Sequence, residues 1–172
     1  MSPVLQAFEL LGRAIFSGQY LLYVLLAPVL LAFGVKFNQK LQALNWRWLE
    51  WSPFHVRSNV VLLPIKLKWA WAPYALALAF VMPFLALLEE WIFRAGTTNW
   101  VRGLLIGTLA FGLCHLLSFV SVRMVVYLTL VGALFVQVYL AAGIIAVFVL
   151  HATYNLTALG MTVATRKRGL LT

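Results

Sequence analysis

Charged positions along the 172-residue chain are sparse and grouped, and the intervals between them predict the elements. Stretches without a charged residue run over 14–35, 69–88, 103–122 and 124–165. A helix rises about 1.5 Å per residue, so about 20 apolar residues cross the hydrocarbon layer of a bilayer. The first three stretches hold one crossing each, and the last is long enough for two, divided near Leu140-Ala-Ala-Gly143. Backbone polar groups in lipid must bond within their own segment, which makes the crossings helical. The pattern predicts an all-α polytopic membrane helix bundle of about five transmembrane helices, over 20–35, 69–93, 103–122, 124–141 and 144–164.

The flanking segments complete one membrane domain over 1–172. Residues 1–18 read as an amphipathic approach helix that is retained, because Glu9 precedes the first apolar run and no small-residue cleavage site closes it. The connection 36–68 mixes Lys36, Lys40, Arg47, Arg57, Lys66 and Lys68 with Trp46, Trp48 and Trp51. Basic and aromatic side chains combined in this way favour the headgroup layer. The region 69–165 forms a core of four spans, with Pro73 and Pro83 expected to bend the first of them, and 166–172 is a basic tail. No internal repeat is visible, which weakens a transporter reading.

Composition agrees with a membrane protein: 64% of residues are hydrophobic, 10% are charged, and the mean hydropathy is +0.97. The net charge of +9 sits in short segments beside the spans, so the partner it implies is a lipid bilayer with anionic headgroups and not nucleic acid. Lys and Arg of the 36–68 loop, Arg123 and the tail residues Arg166, Lys167 and Arg168 fall on one side, and Arg13, Arg94 and Arg102 on the other. The positive-inside rule then places the loop and the C-terminus in the cytoplasm. Cys114 is the single cysteine, so the chain forms no internal disulfide, and its place in an apolar run makes it a core residue.

Against this background a few polar residues stand out. An ionisable side chain at the centre of a span costs about 2.5–3.5 kcal/mol on insertion scales, so each one calls for a reason. The chain has only four acidic residues, and two of them, Glu89 and Glu90, are neighbours in the apolar stretch Leu85-Ala-Leu-Leu-Glu-Glu-Trp-Ile-Phe-Arg94. Glu90 and Arg94, Phe111 and His115, and His151 and Asn155 are each four apart, so each pair shares a helix face. Adjacent glutamates point about 100° apart and can hold different roles. Desolvation makes a carboxylate a stronger proton acceptor, which suits Glu89 as a general base, while Arg94 can pair with Glu90. His115 can help position a water, and His151 with Asn155 can donate to the oxyanion formed when water attacks a carbonyl. The combination fits hydrolysis of a peptide bond within the membrane.

The three motifs, Glu89-Glu90-x-x-x-Arg94, Phe111-x-x-x-His115 and His151-x-x-x-Asn155, occur in this order on separate spans. The chain thereby resembles the CAAX protease and bacteriocin-processing (Abi) family of glutamic intramembrane proteases, over about residues 69 to 165. The resemblance implies that Glu89 and His115 activate water and that His151 and Asn155 form the oxyanion hole. Glu90, Arg94 and Phe111 then support the site, no metal or other cofactor is needed, and the substrate is a membrane-anchored protein. In the CAAX-processing branch the substrate is prenylated and the site opens to the cytosol. The charge count instead turns the Glu89 end outward, as in bacterial branches that trim C-terminal sorting tails, and the expected location is a prokaryotic plasma membrane.

Other readings of the same residues stay open. One Glu and two His match a common catalytic zinc set, although no HExxH helix is present. Buried Glu and His residues also occur in proton-coupled carriers. A family member without activity can serve as an immunity or scaffold protein.

Overall fold

The computed structural model describes residues 2–52, 71–118 and 120–167, and every regular element among them is helical. Parts of the basic connection, with Arg57, Lys66 and Lys68, and the tail from Arg168 onward lie outside the described residues. Four helical stretches are long and apolar enough to cross a membrane: Leu21–Ala43, Ala72–Arg94, Trp100–Leu117 and Val122–Ala164.

Helix α1 spans Pro3–Phe16, opened by Ser2, whose Oγ accepts the Leu5 N–H at 3.4 Å, and by Pro3 in the first turn where no N–H is needed. Its buried residues Ala7, Leu11 and Ala14 recur at helical spacing, so it is amphipathic as the sequence predicts. Helix α2 (Leu21–Ala43) runs past Lys36 and Lys40, well beyond the expected end at residue 35. A lysine ends an apolar stretch without ending a helix, because its stem packs along the helix while the ammonium reaches water. Helix α3 (Trp71–Arg94) continues through Pro83, and Pro73 lies in its first turn, where no backbone bond is lost and no bend is required.

Helix α4 (Trp100–Leu117) changes pitch three times. An α turn at Trp100–Arg102 leads into a π-helical segment Gly103–Ala110, an α turn Phe111–Cys114 and a 3-10 turn His115–Ser118. The stretch therefore stops short of the expected residue 122. Helix α5 (Val122–Lys167) has 46 residues, twice what one crossing needs, and is broken at Gly143 with φ 81° and ψ −176°. Only glycine tolerates that backbone, and the break falls in the Leu140-Ala-Ala-Gly143 segment where the two crossings are expected to divide.

The helices form two compact units. The first holds the described residues of Met1–Leu31, Pro64–Trp91 and Ile144–Thr172, and the second those of Ala32–Leu63 and Ile92–Gly143. In the first, Leu11 and Ala14 of α1 pack against Ala86 of α3 and Phe148, Val149 and Ala152 of α5. Three alanines at this contact allow close helix approach, the mode of association available where lipid removes the hydrophobic drive. In the second unit Phe111, Phe135 and Val136 are fully buried. There Arg123 donates to Glu50 at 2.6 Å and the Val122 N–H bonds to the Trp51 carbonyl at 3.0 Å, which ties the 3-10 turn Arg47–Glu50 to the start of α5.

Candidate active site

The first unit brings together three of the expected site residues. Glu89 and Glu90 occupy the last turns of α3, and His151 lies on α5 beyond Gly143. His151 Nδ1 is 2.6 Å from Glu90 Oε1, and His151 Nε2 is 3.7 Å from Glu89 Oε2. One imidazole thus bonds to one carboxylate and lies near the other. The carboxylates differ in environment: the Glu90 side chain is fully buried, whereas that of Glu89 is 35% exposed. Glu89 Oε2 is nonetheless turned inward and makes no hydrogen bond among the described residues. A buried carboxylate oxygen without a bond is an acceptor ready for a donor, since leaving it unmet is costly. Asn155 stands one turn beyond His151 on the same helix and is half-buried.

Spacing alone pairs Glu90 with Arg94. The structure adds a partner that spacing does not reveal, His151 from another helix. The packing of Leu11 and Ala14 on Ala86 and Ala152 accounts for it, because Ala86 is one turn from Glu90 and Ala152 adjoins His151.

The second unit gathers Arg94, Phe111 and His115. Arg94 is fully buried, its Nη2 donates to the Gly107 carbonyl at 3.1 Å, and its guanidinium lies 4.1 Å from the Phe111 ring centroid and 5.3 Å from that of Phe135. Phe111 meets His115 edge to face at 4.8 Å. His115 Nδ1 is 2.7 Å from the Phe111 carbonyl oxygen, and a carbonyl only accepts, so Nδ1 carries the proton. A neutral His115 then keeps its lone pair on Nε2, the form able to accept a proton from water. Cys114 Sγ donates to the same carbonyl at 3.0 Å, which gives it a packing and hydrogen-bonding role. Phe135 and the Gly107 carbonyl are absent from the motifs, and no periodicity in the sequence marks them.

Among the described residues no group of three or more His, Cys, Asp or Glu side chains is arranged to hold a metal ion.

Residues 68–157 match the family model described as type II CAAX prenyl endopeptidase Rce1-like, more than half of the 172 residues. The chain belongs to this family. No curated protein and no solved structure gives a match. Membership makes the chain an integral membrane protein of an endopeptidase family, in agreement with its four long apolar helices and with the resemblance carried by the three motifs. The Rce1-like match contains all seven expected site residues, from Glu89 to Asn155, and leaves α1 and α2 outside.

Proposed function

We propose that the chain is a glutamic intramembrane endopeptidase that cleaves a peptide bond in a membrane-anchored protein or its C-terminal tail. The observation that carries this reading is the convergence of Glu89 and Glu90 on His151, with one carboxylate buried and bonded and the other holding an inward oxygen without a bond. Glu89 is the general base. His115, protonated at Nδ1 and open at Nε2, is its companion in activating water. Asn155 and a His151 that carries a proton on Nε2 as well as on the Nδ1 held by Glu90 donate to the oxyanion as the water adds to the scissile carbonyl. The attacking hydroxyl bonds to the carbonyl carbon, the proton passes to the base, and its return to the amide nitrogen releases the amine product.

The family description supports a substrate whose tail is prenylated or otherwise lipid-anchored, since the bilayer then delivers the scissile bond to a site built inside it. The surplus of Lys and Arg supports a cytoplasmic 36–68 loop and C-terminus in a prokaryotic plasma membrane, which turns the Glu89 end outward and favours a C-terminal sorting tail. A prenylated tail presented from the cytosol needs the opposite orientation, and cleavage of a farnesylated against an unmodified tail separates the two.

The test is co-expression of wild type and Glu89→Gln with membrane-anchored candidate substrates, reading substrate mass at both termini with and without a chelator. A fragment made by wild type, absent with Glu89→Gln and unaffected by chelation, is the expected result. A fragment lost on chelation points to zinc, and unchanged masses throughout point to a member without activity.

A further inference from the structure

We infer that Arg94 is a positioning residue for His115, acting through Phe111. This rests on the role proposed for His115 and assigns the arginine a task beyond the pairing with Glu90 that its spacing suggests.

Two changes of pitch in α4 lie on either side of Phe111. Where the π-helical segment ends, the Phe111 N–H reaches back to the Ile106 and Thr108 carbonyls, five and three residues earlier. Gly107 O accepts from Arg94 Nη2. At the other end the helix tightens to 3-10, and the His115 N–H reaches the Gly112 carbonyl three residues back. Phe111 O then accepts the imidazole Nδ1–H at 2.7 Å. Beside each irregularity a backbone carbonyl also accepts from a side chain.

The Phe111 ring links the two. It is 1% exposed, with Arg94 over its face, Phe93 at its edge at 5.5 Å and an 81° interplanar angle, and His115 at 4.8 Å and 70°. A planar guanidinium stacks on a ring face as a lysine ammonium does not, and it also holds the Gly107 carbonyl. The close approach is enforced at Gly107, where a Cβ would stand 2.5 Å from Val136 Cγ2 and 3.7 Å from Arg94 Cγ. Arg94 thus clamps the ring, and the ring together with its own carbonyl sets both the orientation of the imidazole and the nitrogen that carries the proton.

The experiment uses full-length protein labelled with 15N-histidine in lipid bilayers, with the His115 signals assigned by His55→Gln and His151→Gln variants. Wild type, Arg94→Lys, Phe111→Leu and the double variant are compared, alongside cleavage of a farnesylated peptide ending in a CAAX sequence. Wild type should show His115 protonated at Nδ1 and bare at Nε2. Each single variant should mix the two tautomers and lower kcat by about 10- to 100-fold, the cost of a small misplacement of a catalytic group, with KM little changed. The double variant should be no slower than the slower single one, because both changes break one connection. An unchanged tautomer in both variants, or losses that multiply in the double variant, overturns the inference. If Arg94→Lys does not fold, Phe111→Leu, which keeps the carbonyl and removes the ring, decides alone. Absence of cleavage by wild type with any of these ring signals counts against the proposed activity, while the tautomer comparison still tests the positioning.

Discussion

In the first unit Glu89, Glu90 and His151 meet side chain to side chain from separate helices, whereas in the second Arg94 and His115 each bond to a backbone carbonyl where the pitch of α4 changes. The carboxylate cluster depends on helix-to-helix approach, which small residues at the Leu11, Ala14, Ala86 and Ala152 contact permit. The arginine and histidine cluster depends on local irregularity within one helix, stabilised by rings. The two modes should fail differently: removing a member of the first leaves a buried polar group unmet, while loosening the second leaves every group bonded but misaimed.

The largest effect expected is that of Glu89→Gln, which keeps shape and removes the proposed base. Cleavage should fall by about 10²- to 10⁴-fold with the thermal unfolding of the detergent-solubilised protein unchanged, measured by product mass over time. A variant that cleaves normally would place the base elsewhere. Next, Glu90→Ala leaves His151 facing a buried space in place of its 2.6 Å partner. It should destabilise the protein by about 3–5 kcal/mol in a reversible denaturation assay, and Glu90→Gln, which retains an acceptor, by less. If Glu90→Ala costs only turnover, the carboxylate belongs to the chemistry and the contrast between the two glutamates collapses.

His151→Ala and Asn155→Ala sharpen the oxyanion assignment, each lowering kcat by about 10²- to 10³-fold in the farnesylated peptide assay. A rise in KM at constant kcat would instead make Asn155 a binding residue. Gly143→Ala forces a side chain into a backbone that only glycine adopts and should cost about 1–3 kcal/mol of stability, read from the same denaturation assay. Cys114→Ala, which removes a weak donor from a carbonyl that His115 also uses, should change stability by under about 1 kcal/mol and leave the His115 tautomer as it is.

Much of this protein was determined by the sequence itself. Apolar intervals of about 20 residues must be helical in lipid, so the helices follow from the spacing of charges, and a single glycine divides the last interval. Spacing of four placed Glu90 with Arg94, Phe111 with His115 and His151 with Asn155 on shared faces, and the rarity of ionisable residues in such stretches made Glu90, Arg94, His115 and His151 candidates for a functional site. Helix ends were less legible at Ala43 and Leu117, since lysines do not stop a helix and apolar residues do not require one to continue.

Tertiary structure decided the partners. Nothing in the sequence indicates that His151 presents Nδ1 to Glu90 and Nε2 to Glu89, because that depends on which helices approach and at what height. Nor does periodicity reveal that Arg94 lies over Phe111 and Phe135, or that two carbonyls of α4 bond to side chains. Helical propensity and lipid exclusion act residue by residue and leave a period to read. A shift of one residue in a hydrogen-bond ladder alters almost no local preference, and only the packing around Gly107 and Phe111 selects it.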